Sequence, residues 1–133
     1  MPLTNTAATD VLKMISEGID PSWRAATTFY VALFTADPTL SGSFTAEANY
    51  TGYARIPLVK DTEFNTVGNV SSNANLVQFG LCTAGANTIT HFAICTALTG
   101  GTMLQFKALN ASINISAGIE PKFSAGSITV TAS

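Results

Sequence analysis

The sequence predicts a mainly β chain, an antiparallel β-sandwich or jelly roll that carries one amphipathic helix at its N-terminus. Three observations predict it. Seven or eight short β-prone runs recur at about ten-residue spacing, bounded by Gly and Asn, the punctuation of small all-β domains. Two of these runs, within residues 87–107, meet at Gly100-Gly101, a pair able to supply the positive φ of a hairpin turn. Only one stretch has a helical period, so no helical crossovers exist from which to build a parallel sheet.

The helix comes first. Residues 5–17 place Ala7, Ala8, Val11, Leu12 and Ile15 at spacings of three and four, with Asp10, Lys13 and Glu17 on the other side. Thr4 or Asn5 is positioned to cap its start and Gly18 to stop it. A single helix of this length does not hold in water by itself, so its apolar stripe must lie on the sheet or on a neighbouring subunit. Asp20-Pro21-Ser22-Trp23 reads as a linker. Trp23, the only tryptophan, is expected to plug the edge of the core, with an exposed contact as the alternative.

Residues 27–36 form the first strand. Phe29, Val31 and Leu33 face one way and Tyr30, Ala32 and Phe34 the other. A strand apolar on both faces is central, covered by the opposite sheet on one side and by a second element on the other, for which the helix is the obvious cover. Asp37-Pro38-Thr39 ends it by turn chemistry. Residues 39–51 have no sustained period and read as a long loop, of the kind that binds a partner or orders on assembly. Phe44 and Tyr50 are its contact candidates, with packing on their own domain equally open. Residues 52–59 read as a strand that Pro57 confines to an edge or a bulge. Residues 60–74 are polar and turn-rich, and Leu76, Val77 and Phe79 make a short strand.

Past the hairpin, Leu104 and Phe106 alternate with Gln105 and Lys107, and Ile113 and Ile115 with Asn114, so one face goes to a core and the other to water. Gly118 turns, Lys122-Phe123 is brief, and residues 127–131 close the chain. Strands thus run from about 27 to 132 in a single domain spanning 1–133, long enough to bury one core without a metal or a disulfide.

Composition narrows the function. Charged residues are 11% of the chain, against roughly 25% in ordinary soluble domains. The surface is therefore polar and nearly uncharged, which favours self-association or a large partner. With a net charge of -2 and six Lys and Arg scattered singly, no basic stripe exists to track a phosphate backbone, so nucleic acid is not an expected partner. No apolar run approaches the ~20 residues of a membrane span, and the first residues lack the pattern of a secretory signal. Neither membrane nor secretion is expected, and Cys82 and Cys95 then read as small buried hydrophobes without a disulfide.

No catalytic set assembles in the sequence. His91, the single histidine, lacks a CxxC or HExxH companion for zinc and a GxSxG-type turn for nucleophilic work. It reads as a strand histidine hydrogen-bonded to backbone or water. Asp61 and Glu63, beside Lys60, read as a solvated turn rather than the facing carboxylates of a glycosidase. No enzyme activity, metal or cofactor is expected.

A resemblance adds to this. Phe29-Tyr30-Val31-Ala32-Leu33-Phe34-Thr35-Ala36-Asp37-Pro38, Gly52-Tyr53-Ala54-Arg55, Thr90-His91-Phe92, Thr99-Gly100-Gly101 with Leu104, Ala117-Gly118, and Phe123-Ser124-Ala125-Gly126 with Ile128-Thr129-Val130 occur in one order. That order resembles a family of small tailed-bacteriophage structural proteins, described as head decoration or cement proteins and as tail or tail-fibre proteins. The resemblance implies a jelly-roll or related β-sandwich on the capsid exterior, a homodimer or homotrimer without catalysis, assembled in the host bacterial cytoplasm.

The expected function is capsid cement or decoration, with the major capsid protein and further copies of the chain as partners. Many weak contacts across the shell would act together. A tail or tail-fibre component is one alternative, and a carbohydrate-binding β-sandwich is another. The candidate interface residues are Trp23, Phe44, Tyr50 and Tyr53.

Overall fold

The structure, a computed structural model, describes residues 3–131. Helix α1 spans Asn5–Glu17. Thr4 caps it twice over: its Oγ1 accepts from the Ala7 N–H at 3.3 Å and donates to the Met103 carbonyl at 2.6 Å. The second bond ties the helix start to the sheet, as does the Thr4 N–H to Leu104 O at 3.0 Å. Gly18, at φ 67°, stops the helix in the left-handed conformation, which costs a glycine little. The expected linker after it contains a turn of 3-10 helix, Ser22–Ala25.

Among the described residues nine strands follow: β1 (Thr28–Phe34), β2 (Ile56–Val59), β3 (Phe64–Val67), β4 (Val70–Asn73), β5 (Val77–Gln78), β6 (Asn87–Cys95), β7 (Met103–Ile115), β8 (Lys122–Phe123) and β9 (Thr129–Thr131). They pair antiparallel throughout, in sheets ordered β2-β1-β6-β7, β3-β4-β9 and β5-β8, and the arrangement is sandwich-like. The expected strand end at 132 lies outside the described residues.

Strand β1 is central, between β2 and β6, and its two faces feed two cores. Val31 and Leu33 join Phe79, Ile89, Phe92, Ile115 and their neighbours in the larger one, while Ala32 and Phe34 join Ala93, Cys95, Met103 and Phe106 in the smaller. Pro57 sits on β2 opposite Tyr30, at the edge of the sheet, where its missing N–H costs no ladder bond. The β6–β7 hairpin turns at Gly100 and Gly101, with φ of 62° and 71°. Its register shifts twice: Ala108 faces His91 and Ile113 faces Ile89, leaving residues 109–112 of β7 against Thr90 alone, and nearer the turn Gln105 faces Ile94 and Met103 faces Cys95, leaving Leu104 as the extra residue. Both are bulges in the outer strand.

Three expectations need correction. The main cover of β1's second face is not α1, whose contacts run to β7, but the stretch of chain read as a long loop. The Thr35 N–H donates to Ala46 O and the Ala48 N–H to Leu33 O, both at 2.8 Å, with a bridge between Phe34 and Glu47. Laid along β1 in this way, the stretch packs Phe44 and Ala46 over the smaller core. Residues 60–74 contain a hairpin, β3–β4, turning at Gly68. Polar side chains on both strand faces hide its period, and Phe64 and Asn73 hold it to the body. The strand expected from residue 52 begins only at Ile56, because Gly52 lies against residues 80–82: a Cβ on Gly52 would come 2.1 Å from Leu81 O, and one on Gly80 2.1 Å from Gly52 O. Two backbones stack there at a distance only glycines permit.

Candidate interaction surface

The four aromatic candidates fall into three settings. Tyr50 is 3% exposed, its hydroxyl donating to Gly80 O at 2.9 Å, so it is a core residue and offers no outward ring. Tyr53 is half-buried, stacked on Phe79 with ring centres 6.2 Å apart. Phe44 is half-buried between Phe34 and the Arg55 guanidinium, which stands 4.9 Å above its ring. Trp23 is half-buried, edge-on to Phe29, and its Nε1–H donates to Asp10 Oδ2 at 2.9 Å. The structure therefore brings Phe44 and Tyr53 together around Arg55 and leaves Trp23 elsewhere, beside α1.

Arg55 and Glu47, neither singled out by the sequence, organise the first group. Arg55 is only 4% exposed, and all three of its nitrogens donate, through four of its five N–H groups. Nε donates to Glu47 Oε2 and Nη2 to Glu47 Oε1, both at 2.8 Å, while Nη1 donates to Ala97 O at 2.7 Å and Gly100 O at 2.9 Å. The Tyr53 hydroxyl donates to Glu47 Oε2 at 2.6 Å and accepts from the Leu33 N–H at 3.2 Å. Burial, and then the bond to Glu47, pushes the Tyr53 phenol well up, and the same carboxylate raises the Arg55 guanidinium. The network joins β1, the 47–55 stretch and the β6–β7 turn. It is a clamp whose donors are already committed, not an open receptor for a charged ligand. A signal was present in the sequence: Arg55 is a lone cation between apolar residues, and such a residue needs a buried partner.

The second group is apolar and incomplete. At about 100° per residue, Ala7, Val11 and Met14 share one side of α1, and Ile15, Ala8 and Leu12 follow round it. The first three are buried or half-buried against the body, whereas Leu12 is 63% and Ile15 77% exposed, with Ile19 just past the cap at 52%. The helix thus covers one edge of its apolar arc and leaves the other in solvent. On its inner side lies an open cavity of about 340 Å³, lined by Ala7, Val11, Phe29, Phe64, Leu104 and Val130 among others. Lys60 closes one rim: its Nζ donates to Trp23 O at 2.9 Å and Arg24 O at 3.1 Å, and lies 4.3 Å from the Phe29 ring centre. Burial, with Arg24 nearby, lowers its pKa.

With this geometry in hand, a protein-family model described as podophage GP4 fiber I protein gp80 matches residues 2–131. The chain belongs to that family. No curated protein matches it. Membership in the gp80 fibre family makes the chain a tailed-phage structural protein, the class its sequence resembles, with a place in the virion.

The single histidine and both cysteines of this gp80 family member have structural settings. His91 Nδ1 lies 2.8 Å from Thr90 Oγ1, so a neighbouring side chain engages one ring nitrogen. Cys82 and Cys95 are free and fully buried, and burial pushes the Cys95 thiol up to about 12, which suppresses the reactive thiolate. Among the described residues, no group of three or more His, Cys, Asp or Glu is placed to hold a metal ion, and no helix is long and apolar enough to cross a membrane.

Proposed function

We propose that this chain is a structural subunit of the phage fibre apparatus that works by adhesion to neighbouring protein subunits and carries out no catalysis. The match to a fibre family along residues 2–131 carries the reading. The uncovered arc of α1 gives it a physical means, since an apolar strip kept in water is stabilised when another surface covers it. A capsid cement subunit on the major capsid protein is the second reading, favoured by the scarcity of surface charge, which suits close packing on a protein shell. A sugar-recognition module is less well supported, because Tyr50 is inside the core and the other three candidate rings are partly covered.

Antibody-gold labelling or cryo-microscopy of intact particles tests the proposal. Label on the tail fibres is the expected outcome. Label spread over the head would favour the cement reading, and particles that lack the protein would overturn both.

A further inference from the structure

The cavity beneath α1 has the size and lining of a ligand site. Helix α1 gives it Ala7 and Val11, strands of the two larger sheets give it Phe29, Phe64, Leu104 and Val130, and Trp23 completes the apolar wall. Among the described residues, the polar ones that reach it are Lys60, Asp61, Ser71 and Gln105. Water in so apolar a space finds few partners, so an apolar guest is stabilised by displacing it.

Lys60 adds one directed charge at the rim. Its ammonium has three N–H donors, of which two go to Trp23 O and Arg24 O, with the Phe29 ring beside it. Among the described residues no carboxylate pairs with it, and the charge that acts on it is the Arg24 cation. A half-buried ammonium in that setting lacks a counter-charge, which a guest can bring. Asp61 reaches the same wall without pairing to Lys60.

We propose that the cavity binds a medium-chain fatty acid, its aliphatic chain under α1 and its carboxylate on Lys60, a ligand-binding role beyond adhesion and independent of it. Volume sets the chain length. A cavity of about 150 Å³ holds one benzene, so about 340 Å³ takes roughly twice as much, a chain of about 8–12 carbons. A two-chain phospholipid exceeds that space. A Leu or Phe side chain from a neighbouring protein would fit it, but would bring no charge for Lys60.

Trp23 is the only tryptophan and lines the cavity, so its emission reports on occupancy. Titrating the full chain with octanoate is expected to shift that emission with a dissociation constant of about 0.1 mM. From hexanoate to decanoate, each added methylene should tighten binding about three- to fourfold. Asp61→Asn should tighten octanoate about two- to threefold by removing a like charge from the wall. Lys60→Met keeps an apolar stem without the donor, and should weaken octanoate at least ~10-fold while leaving 1-octanol unchanged. Ser71→Leu places a larger side chain into the cavity from a half-buried position on β4, and should abolish binding with a melting temperature no lower than that of the wild type. No shift with octanoate up to ~5 mM, 1-octanol binding the wild type as tightly as octanoate, or unchanged octanoate binding in Lys60→Met or in folded Ser71→Leu overturns the proposal. Tighter binding of N-acetyl-leucine methyl ester than of octanoate also overturns it, and assigns the cavity to a side chain of a neighbouring protein.

Discussion

Arg55 shows what single residues contribute to this chain. Its guanidinium is buried with one carboxylate and two carbonyls, and removing it leaves Glu47 with only the Tyr53 hydroxyl as donor and takes the Arg55 donor from Ala97 O and Gly100 O. Arg55→Ala is expected to lower the unfolding free energy by about 3–5 kcal/mol, read from urea denaturation, and Arg55→Lys to recover little because an ammonium cannot bridge both partners. Asn73 plays a comparable part with neutral groups. Its Nδ2 donates to Asn75 O at 2.7 Å and Ser124 O at 2.9 Å, and its Oδ1 accepts from the Ile128 N–H at 2.9 Å. Asn73→Asp should destabilise more than Asn73→Ala, since it sets a carboxylate against two carbonyls.

Titration belongs to the same scale. Cys95 is raised from 9.0 to about 12 in the fold, and Tyr53 is also raised above 10.0, both first by burial. A group whose folded pKa lies above its unfolded value favours the folded state fully below the unfolded pKa. That contribution is lost as pH rises toward the folded one. Melting temperature should therefore hold to about pH 9 and then fall, Cys95 alone contributing about 1.4 kcal/mol per pH unit in the steep part of the window. Cys95→Ala should flatten the early part of that fall in a thermal-melt series.

At the scale of elements, the informative contact is the glycine stack between residues 50–52 and 80–82. Gly80→Ala is expected to cost over ~2 kcal/mol, because its Cβ would meet a carbonyl oxygen of fixed backbone. Gly126→Ala, with open space at its Cβ and a φ of 79°, should cost only about 1–2 kcal/mol of conformational strain. Paired urea titrations would separate the two. This contact also marks how far the sequence could be read. The helix and its caps, the strand at 28–34 and the Gly100-Gly101 hairpin were legible because each is fixed by a local pattern or by residue type. Pro57 likewise marked its edge. The cover over Phe34, the β3–β4 hairpin and the Glu47–Arg55–Tyr53 clamp were not, since each arises from pairing between distant segments that leaves no period in either. Of the interface candidates, Tyr50 takes the second of the two fates the sequence left open, packing on its own domain, because buried and exposed tyrosines look alike until the Gly80 carbonyl is found beside the hydroxyl.

At the scale of the whole molecule, low charge and an uncovered apolar arc point to association driven by water release. Raising salt from about 0.05 to 0.5 M should leave the assembly constant unchanged or slightly strengthened, whereas a charge-driven complex would weaken through screening. Sedimentation across that series checks it. The four-stranded sheet has a complementary property. One margin carries Pro57, and the other is met by Leu3 at Gln105 and then interrupted across residues 109–112. Neither margin offers an unbroken row of amides and carbonyls to a visiting strand. Copies crowded side by side are therefore kept from fusing sheet to sheet into an endless ribbon.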